Sequence, residues 1–160
     1  MGFLLELGKR KRKIMNPLTL LKRWVEAYPE QLRPKLGLGR FKAEDPDWWK
    51  FVDITGYNAC WGGEVAAAKL TRQLKPEKVI IYAPELPGRL IIEQKLRKTT
   101  AGNIEILKTF WTFDHEFCAL GIAPPLLVYA DLIATGDDRN IETAETIYDN
   151  YIAQPDRQDR

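Results

Sequence analysis

The sequence predicts a single layered α/β domain, a small and mostly buried sheet covered by helices, with α+β as the variant of the same architecture. Three observations carry this. Lys78 to Ala83 is a short β-branched run flanked by prolines, the composition of a buried strand. Ile104 to Trp111, entered through Gly102-Asn103, alternates in the manner of a second strand. Helical patterns lie on both sides of these runs, and such a succession builds a layered domain. At 160 residues the chain has room for one domain, and a chain of this size hides roughly 70% of its unfolded surface, so its core needs no disulfide or metal staple. Cys60 and Cys118 can be plain apolar fillers.

The elements follow in order. Residues 1–13 read as a remnant or linker, with an apolar start that stops at Gly8 and a basic run after it. Asn16-Pro17 opens a helix with an N-cap residue and a proline at the first helical position. Leu18, Leu21, Val25 and Tyr28 follow at helical spacing, and Pro29 ends it. Pro34, Gly37 and Gly39 bracket a strand from Leu38 to Lys42. Asp45-Pro46 then starts a short helix carrying Trp48, Trp49 and Val52, stopped by Gly56. After a loop from Tyr57 to Cys60, a helix runs from about residue 63 to 74, with Ala66, Ala67 and Ala68 allowing close packing. Residues 88 to 99 fit helix and strand equally well. Pro124-Pro125 leads into an almost wholly apolar helix, Leu126 to Thr135, ended by Gly136. Asp137-Asp138 caps a last helix whose inner stripe is Ile141, Ala144, Tyr148 and Tyr151, and residues 154–160 form a disordered tail.

Charge narrows the function classes. The net charge is +2, yet Lys9, Arg10, Lys11, Arg12 and Lys13 face Glu6 alone, so the body is slightly acidic and lacks the field of a dedicated nucleic-acid binder. The run itself suits either a polyanion contact or a hydrated linker. No apolar stretch approaches the ~18 residues of a membrane span, and no secretory signal opens the chain, so a cytoplasmic protein is expected.

Few residues suggest chemistry. Asp131 lies inside an apolar helix, where an unpaired carboxylate would cost several kcal/mol. A catalytic acid and a structural one satisfied by Arg139, a helix N-terminus or loop amides both fit, and the structural reading is the stronger. Asp114-His115-Glu116 near Cys118 has no second cluster to complete a site, and one histidine removes the commonest zinc sets. Glu93-Gln94-Lys95 matches the end of a restriction-nuclease signature, a triplet that chance supplies in so charged a chain. Gly62-Gly63 resembles the opening of a nucleotidyltransferase signature but lacks the paired acids that hold two metal ions. Trp24, Trp48, Trp49, Trp61 and Trp111 could stack on bases, though core packing better explains Trp24 and Trp48. Neither cofactor nor metal is expected.

Several blocks together resemble a known family. They are Asn16-Pro17, LLKRWVEAYPEQLRPKL (20–36), GRF (39–41), WGGEVAAAKLT (61–71), KPEKVIIYAP (75–84) and APPLLVYADLIATGDDRNIETAETIY (123–148). The chain is similar to the C-terminal domain of AbiEi-type antitoxins, regulators of type IV toxin–antitoxin systems, over about residues 8–152, with residues 14–153 as the domain. Members usually carry an N-terminal winged helix–turn–helix, which this sequence does not contain. The resemblance implies a non-enzymatic antitoxin of a phage-defence or stress module acting against a nucleotidyltransferase-like toxin. It marks Trp61, Gly63, Tyr129, Asp131 and Arg139 as signature positions with structural roles. Lys9 to Lys13 would supply nucleic-acid contact, and Arg33, Lys35 and Arg40, expected to be exposed at a strand edge, an interaction surface. The rival readings are a restriction-endonuclease-like metal-dependent nuclease using Asp131 or Glu93 with Lys95, active or degenerate, and a nucleic-acid or protein interaction module.

Overall fold

Among the described residues five strands form one mixed sheet: β1 (Gly37–Lys42), β2 (Cys60–Gly62), β3 (Val79–Ala83), β4 (Arg97–Lys98) and β5 (Ile104–Lys108). Their order is β2-β3-β5-β1-β4. The computed structural model describes residues 23, 25–111 and 117–153. The basic run Lys9–Lys13, the helix start at Asn16-Pro17, Trp24, the triplet Asp114-His115-Glu116 and both terminal segments lie outside the described residues.

β3 and β5 pair in parallel, with Val79 opposite Ile104 and Ala83 opposite Lys108, and the other pairings are antiparallel. Every residue of β3 is buried, as a strand covered on both faces must be. Alternation puts Ile80, Tyr82, Glu105, Leu107 and Arg40 on one face, and Trp61, Ile81, Ile104, Ile106 and Phe41 on the other. Helices α1 (Gly63–Thr71), α3 (Pro125–Ala134) and α4 (Asp138–Ile147) pack on one another, and α1 also packs on β3. On the second face Trp61 is buried with its ring edge-on to Trp48, 5.7 Å between centroids. The tryptophans thus serve packing: Trp48, Trp49 and Trp61 are core residues, and Trp111 meets Tyr82 edge-on. The layered α/β class is as the sequence predicts.

Several local expectations need correction. Pro29 does not end the first helix. Residues 25–27 are α-helical, Tyr28–Leu32 continue as a π turn and Arg33–Lys35 as a 3-10 turn. Each proline falls in the first turn of its new element, at the junction where the helical hydrogen-bond spacing changes. The expected helix from Asp45 is two 3-10 turns, Trp48–Phe51 and Ile54–Tyr57, because Val52 is extended and Asp53 starts a new cap by accepting from the Thr55 amide. Gly56 sits inside the second turn. The loop expected from Tyr57 to Cys60 ends in a strand that the sequence did not predict, Cys60–Gly62, since its pairing partner is β3. Helix α1 stops at Thr71, where Arg72 turns left-handed at φ 60°. Residues 88–99 hold both predicted forms, α2 (Gly88–Glu93) and then β4. The buried stripe of α4 is Asn140, Thr143, Ala144 and Ile147, with Ile141 only partly covered. The ends of α3 and α4 follow the sequence closely: Gly136 is left-handed at φ 69°, and the Asp137 carboxylate caps α4 through the Arg139 and Asn140 amides.

Gly102 shows how tightly the turn before β5 is fitted. A Cβ there would lie 2.0 Å from the carbonyl oxygen of Phe41, which is backbone and cannot swing away, whereas a Cβ at Gly37 meets nothing within 4 Å. Gly102→Ala is therefore expected to cost at least about 2 kcal/mol and Gly37→Ala less than about 1 kcal/mol. Urea denaturation of the two variants side by side checks this, and equal midpoints would contradict it.

Candidate functional site

Tyr82 has no local reason to be polar, standing as it does in a strand of apolar residues, yet its hydroxyl organises the covered face of the sheet. It donates to Asp131 Oδ2 at 2.8 Å and, having spent its one proton, accepts from the Tyr28 hydroxyl. Gly62 makes room for the ring, for a Cβ there would come within 2.5 Å of it. Asp131 is wholly buried in the middle of α3. Its other oxygen, Oδ1, has no hydrogen-bond donor among the described residues and faces the Arg33 guanidinium at 3.7 Å. Arg33 donates to Glu105 Oε1, and Arg40 approaches Oε2 of the same carboxylate at 3.4 Å while donating to the Gly102 carbonyl. The chain Tyr28, Tyr82, Asp131, Arg33, Glu105, Arg40 ties together the π turn, β3, α3, the following 3-10 turn, β5 and β1.

This arrangement overturns two expectations. The cation beside Asp131 is Arg33, not Arg139, which lies on the exposed first turn of α4 about 4.0 Å from Glu77 and Asp137. Arg33 is not an exposed surface residue either, because its side chain is only 19% exposed and is held between two acids. β1, moreover, is not an edge strand but runs between β5 and β4. Lys35 and Arg40 are exposed, as expected.

Arg33, Arg40, Gly63, Glu64, Glu105 and Asp131 line a cleft of about 400 Å³. Gly63 begins α1 at φ 48°, a conformation suited to glycine, with Ile80 closing the space where a side chain would be. Trp61, Tyr129, Arg139 and Lys35 do not line this cleft. Tyr129 instead meets Tyr148 at 5.8 Å between ring centroids, joining α3 to the end of α4.

Glu64 is the functional-looking residue that the sequence did not single out. It is buried, its Oε1 accepts from the amides of Glu77 and Lys78, and its Oε2 accepts from the Asn140 side chain at 3.1 Å. Only its place beside the small residues Ala66 to Ala68 hinted at close packing there. Glu93 and Lys95, by contrast, do not form a nuclease signature. Glu93 ends a short helix and accepts from Tyr57 on the surface, while Lys95 lies in the turn before β4. Among the described residues no group of three potential ligands converges to hold a metal ion.

Burial raises the Asp131 carboxyl to about 7 against the opposing pull of the Arg33 guanidinium and the Tyr82 hydroxyl, with the Gly63 amide acting in the same sense as those two. Burial likewise raises Tyr82 and Tyr28, with Asp131 adding to both, so both stay protonated. A carboxyl whose folded pKa lies above its unfolded value of about 4 favours the folded state at low pH and loses that contribution as pH rises to about 7. Wild type should therefore lose stability relative to Asp131→Asn between pH 4 and 7, by up to a few kcal/mol, and run parallel to it above pH 8. Urea denaturation across that range tests the sign, and a wild type that gains on the variant would show that Arg33 outweighs burial.

A family model described as "Transcriptional regulator, AbiEi antitoxin, Type IV TA system" matches residues 13–153. No curated protein and no solved structure matches the chain.

Proposed function

The chain belongs to the AbiEi antitoxin family of type IV toxin–antitoxin transcriptional regulators, and from that premise we propose that residues 14–153 are an antitoxin domain that counteracts a nucleotidyltransferase-like toxin in the cytoplasm without catalysing a reaction. The match over residues 13–153 carries this reading. The state of the acids in the cleft supports its non-enzymatic part. Asp131 is committed to Tyr82 and Arg33, Glu105 to two arginines and Glu64 to amides and Asn140, so each carboxylate holds the fold together. No described helix is long and apolar enough to cross a membrane.

Lys35 and Arg40 are the exposed remainder of the proposed contact surface, and Arg33 belongs to the frame beneath it. Co-expression of the full chain with its cognate nucleotidyltransferase-like toxin should restore growth. The pair Lys35→Glu and Arg40→Gln should weaken that rescue while costing about 1 kcal/mol of stability or less, chiefly from the lost Arg40 contacts to Glu105 and the Gly102 carbonyl. Arg33→Gln should instead destabilise the domain by about 2 kcal/mol, because it removes one partner of a partly buried pair. Growth assays with parallel melting curves separate the two effects. Failure of the wild-type chain to rescue at normal abundance would remove the antitoxin reading, and full rescue by the double variant would remove the surface.

A further inference from the structure

The buried network leaves one oxygen unmet. Among the described residues no hydrogen-bond donor reaches Asp131 Oδ1, and the Arg33 guanidinium stays 3.7 Å away. A wholly buried polar atom without a hydrogen bond is costly, so this one calls for a donor from outside the chain. Asp131 lines the cleft of about 400 Å³, a volume within the range of small-molecule sites. Asn140, whose side-chain nitrogen donates to Glu64 and Thr135 of the same lining, has its own carbonyl oxygen in the same state. Both unmet groups are acceptors, and an occupant must therefore bring donors.

Charge narrows the occupant. Glu64, Glu105 and Asp131 line the cleft together with Arg33, Arg40 and Lys78, three acids against three cations. This balance disfavours a simple cation or a simple anion and fits a molecule carrying one charge of each sign. Arg33 and Arg40 are both engaged with Glu105, whereas among the described residues Lys78 has no carboxylate within ion-pair distance. Its backbone amide donates to Glu64 Oε1 at 3.3 Å, which fixes the base of this exposed side chain at the cleft. Val79, Ile80, Leu132 and Ala134 supply the apolar part of the lining. We propose that the cleft binds a free α-amino acid with an apolar side chain, its ammonium donating to Asp131 Oδ1 and its carboxylate meeting Lys78. The site requires neither Lys35 nor a toxin, so it stands or falls apart from the antitoxin reading.

The experiment titrates the full chain with L-leucine by calorimetry at pH 8, where the Asp131 carboxyl, raised to about 7, is ionised. Two analogues isolate the charges. Isoamylamine keeps the ammonium and lacks the carboxylate, and 4-methylpentanoate keeps the carboxylate and lacks the ammonium. Each should bind at least about tenfold more weakly than leucine, the worth of one hydrogen bond to a charged group. Lys78→Gln should weaken leucine by a similar factor without moving the melting temperature, because the side chain is exposed and supports nothing in the fold. Ala134→Trp, at an exposed position of the lining, should block the cleft and leave the melting temperature nearly unchanged. The test thus needs no substitution in the buried network. Absence of leucine binding, an analogue that binds as tightly as leucine, or unchanged leucine affinity in either variant would each overturn the proposal.

Discussion

The fold depends on one buried carboxylate. Asp131 sits in the middle of an almost wholly apolar helix, and a charge there is tolerable only where donors reach it from elsewhere. Tyr82 reaches it from the centre of the sheet and Arg33 from the helical segment before β1. Because Arg33 is shared with Glu105, and Glu105 with Arg40, satisfying one acid in α3 fixes where that segment, β3, β5 and β1 lie relative to one another. A hydrophobic core of similar size would hold these elements together without choosing their register so narrowly.

A second acid does the same work at the start of α1. Glu64 joins the chain just before β3 to α4 through two amides and Asn140. The two clasps flank a cleft whose charged lining is mostly engaged inward. The exposed cations of β4, by contrast, contribute nothing to the interior. The protein thus separates charge that shapes the domain from charge presented to the surroundings.

What the sequence revealed and what it hid follow from the range of each interaction. The β-branched run of β3, the proline start of α3, the glycine after it and the Asp137 cap are local devices, and they stand where local reading puts them. The odd placement of Asp131 was also visible, since a carboxylate in an apolar helix is an anomaly within a few residues. Its partner was not. Arg139 is near in sequence, but the cation that answers Asp131 is Arg33, almost a hundred positions earlier, in a segment that Pro29 and Pro34 disguised as broken. β2 escaped notice for the same reason, because three residues rich in glycine become a strand only when β3 lies beside them. The burial of Glu64, which reads as an ordinary polar residue at a helix start, likewise depends on groups supplied by two distant elements.

The position of β1 governs the order in which the chain can assemble. It is the first of the described strands to be made, yet it fills a slot between two partners encoded roughly sixty residues downstream. During synthesis it has only the two-residue β4 to pair with until β5 has left the ribosome. Closing so long a loop costs entropy before any ladder bond repays it, and topologies dominated by such distant pairings fold slowly. The stretch from β2 through α1 to β3 is contiguous and can form first. The arrival of β5 then completes a template on which β1 docks last, carrying with it Arg33 and the closure of the cleft. A nascent or truncated chain that ends before Arg97 would leave β1 unpaired, an open strand available to other chains.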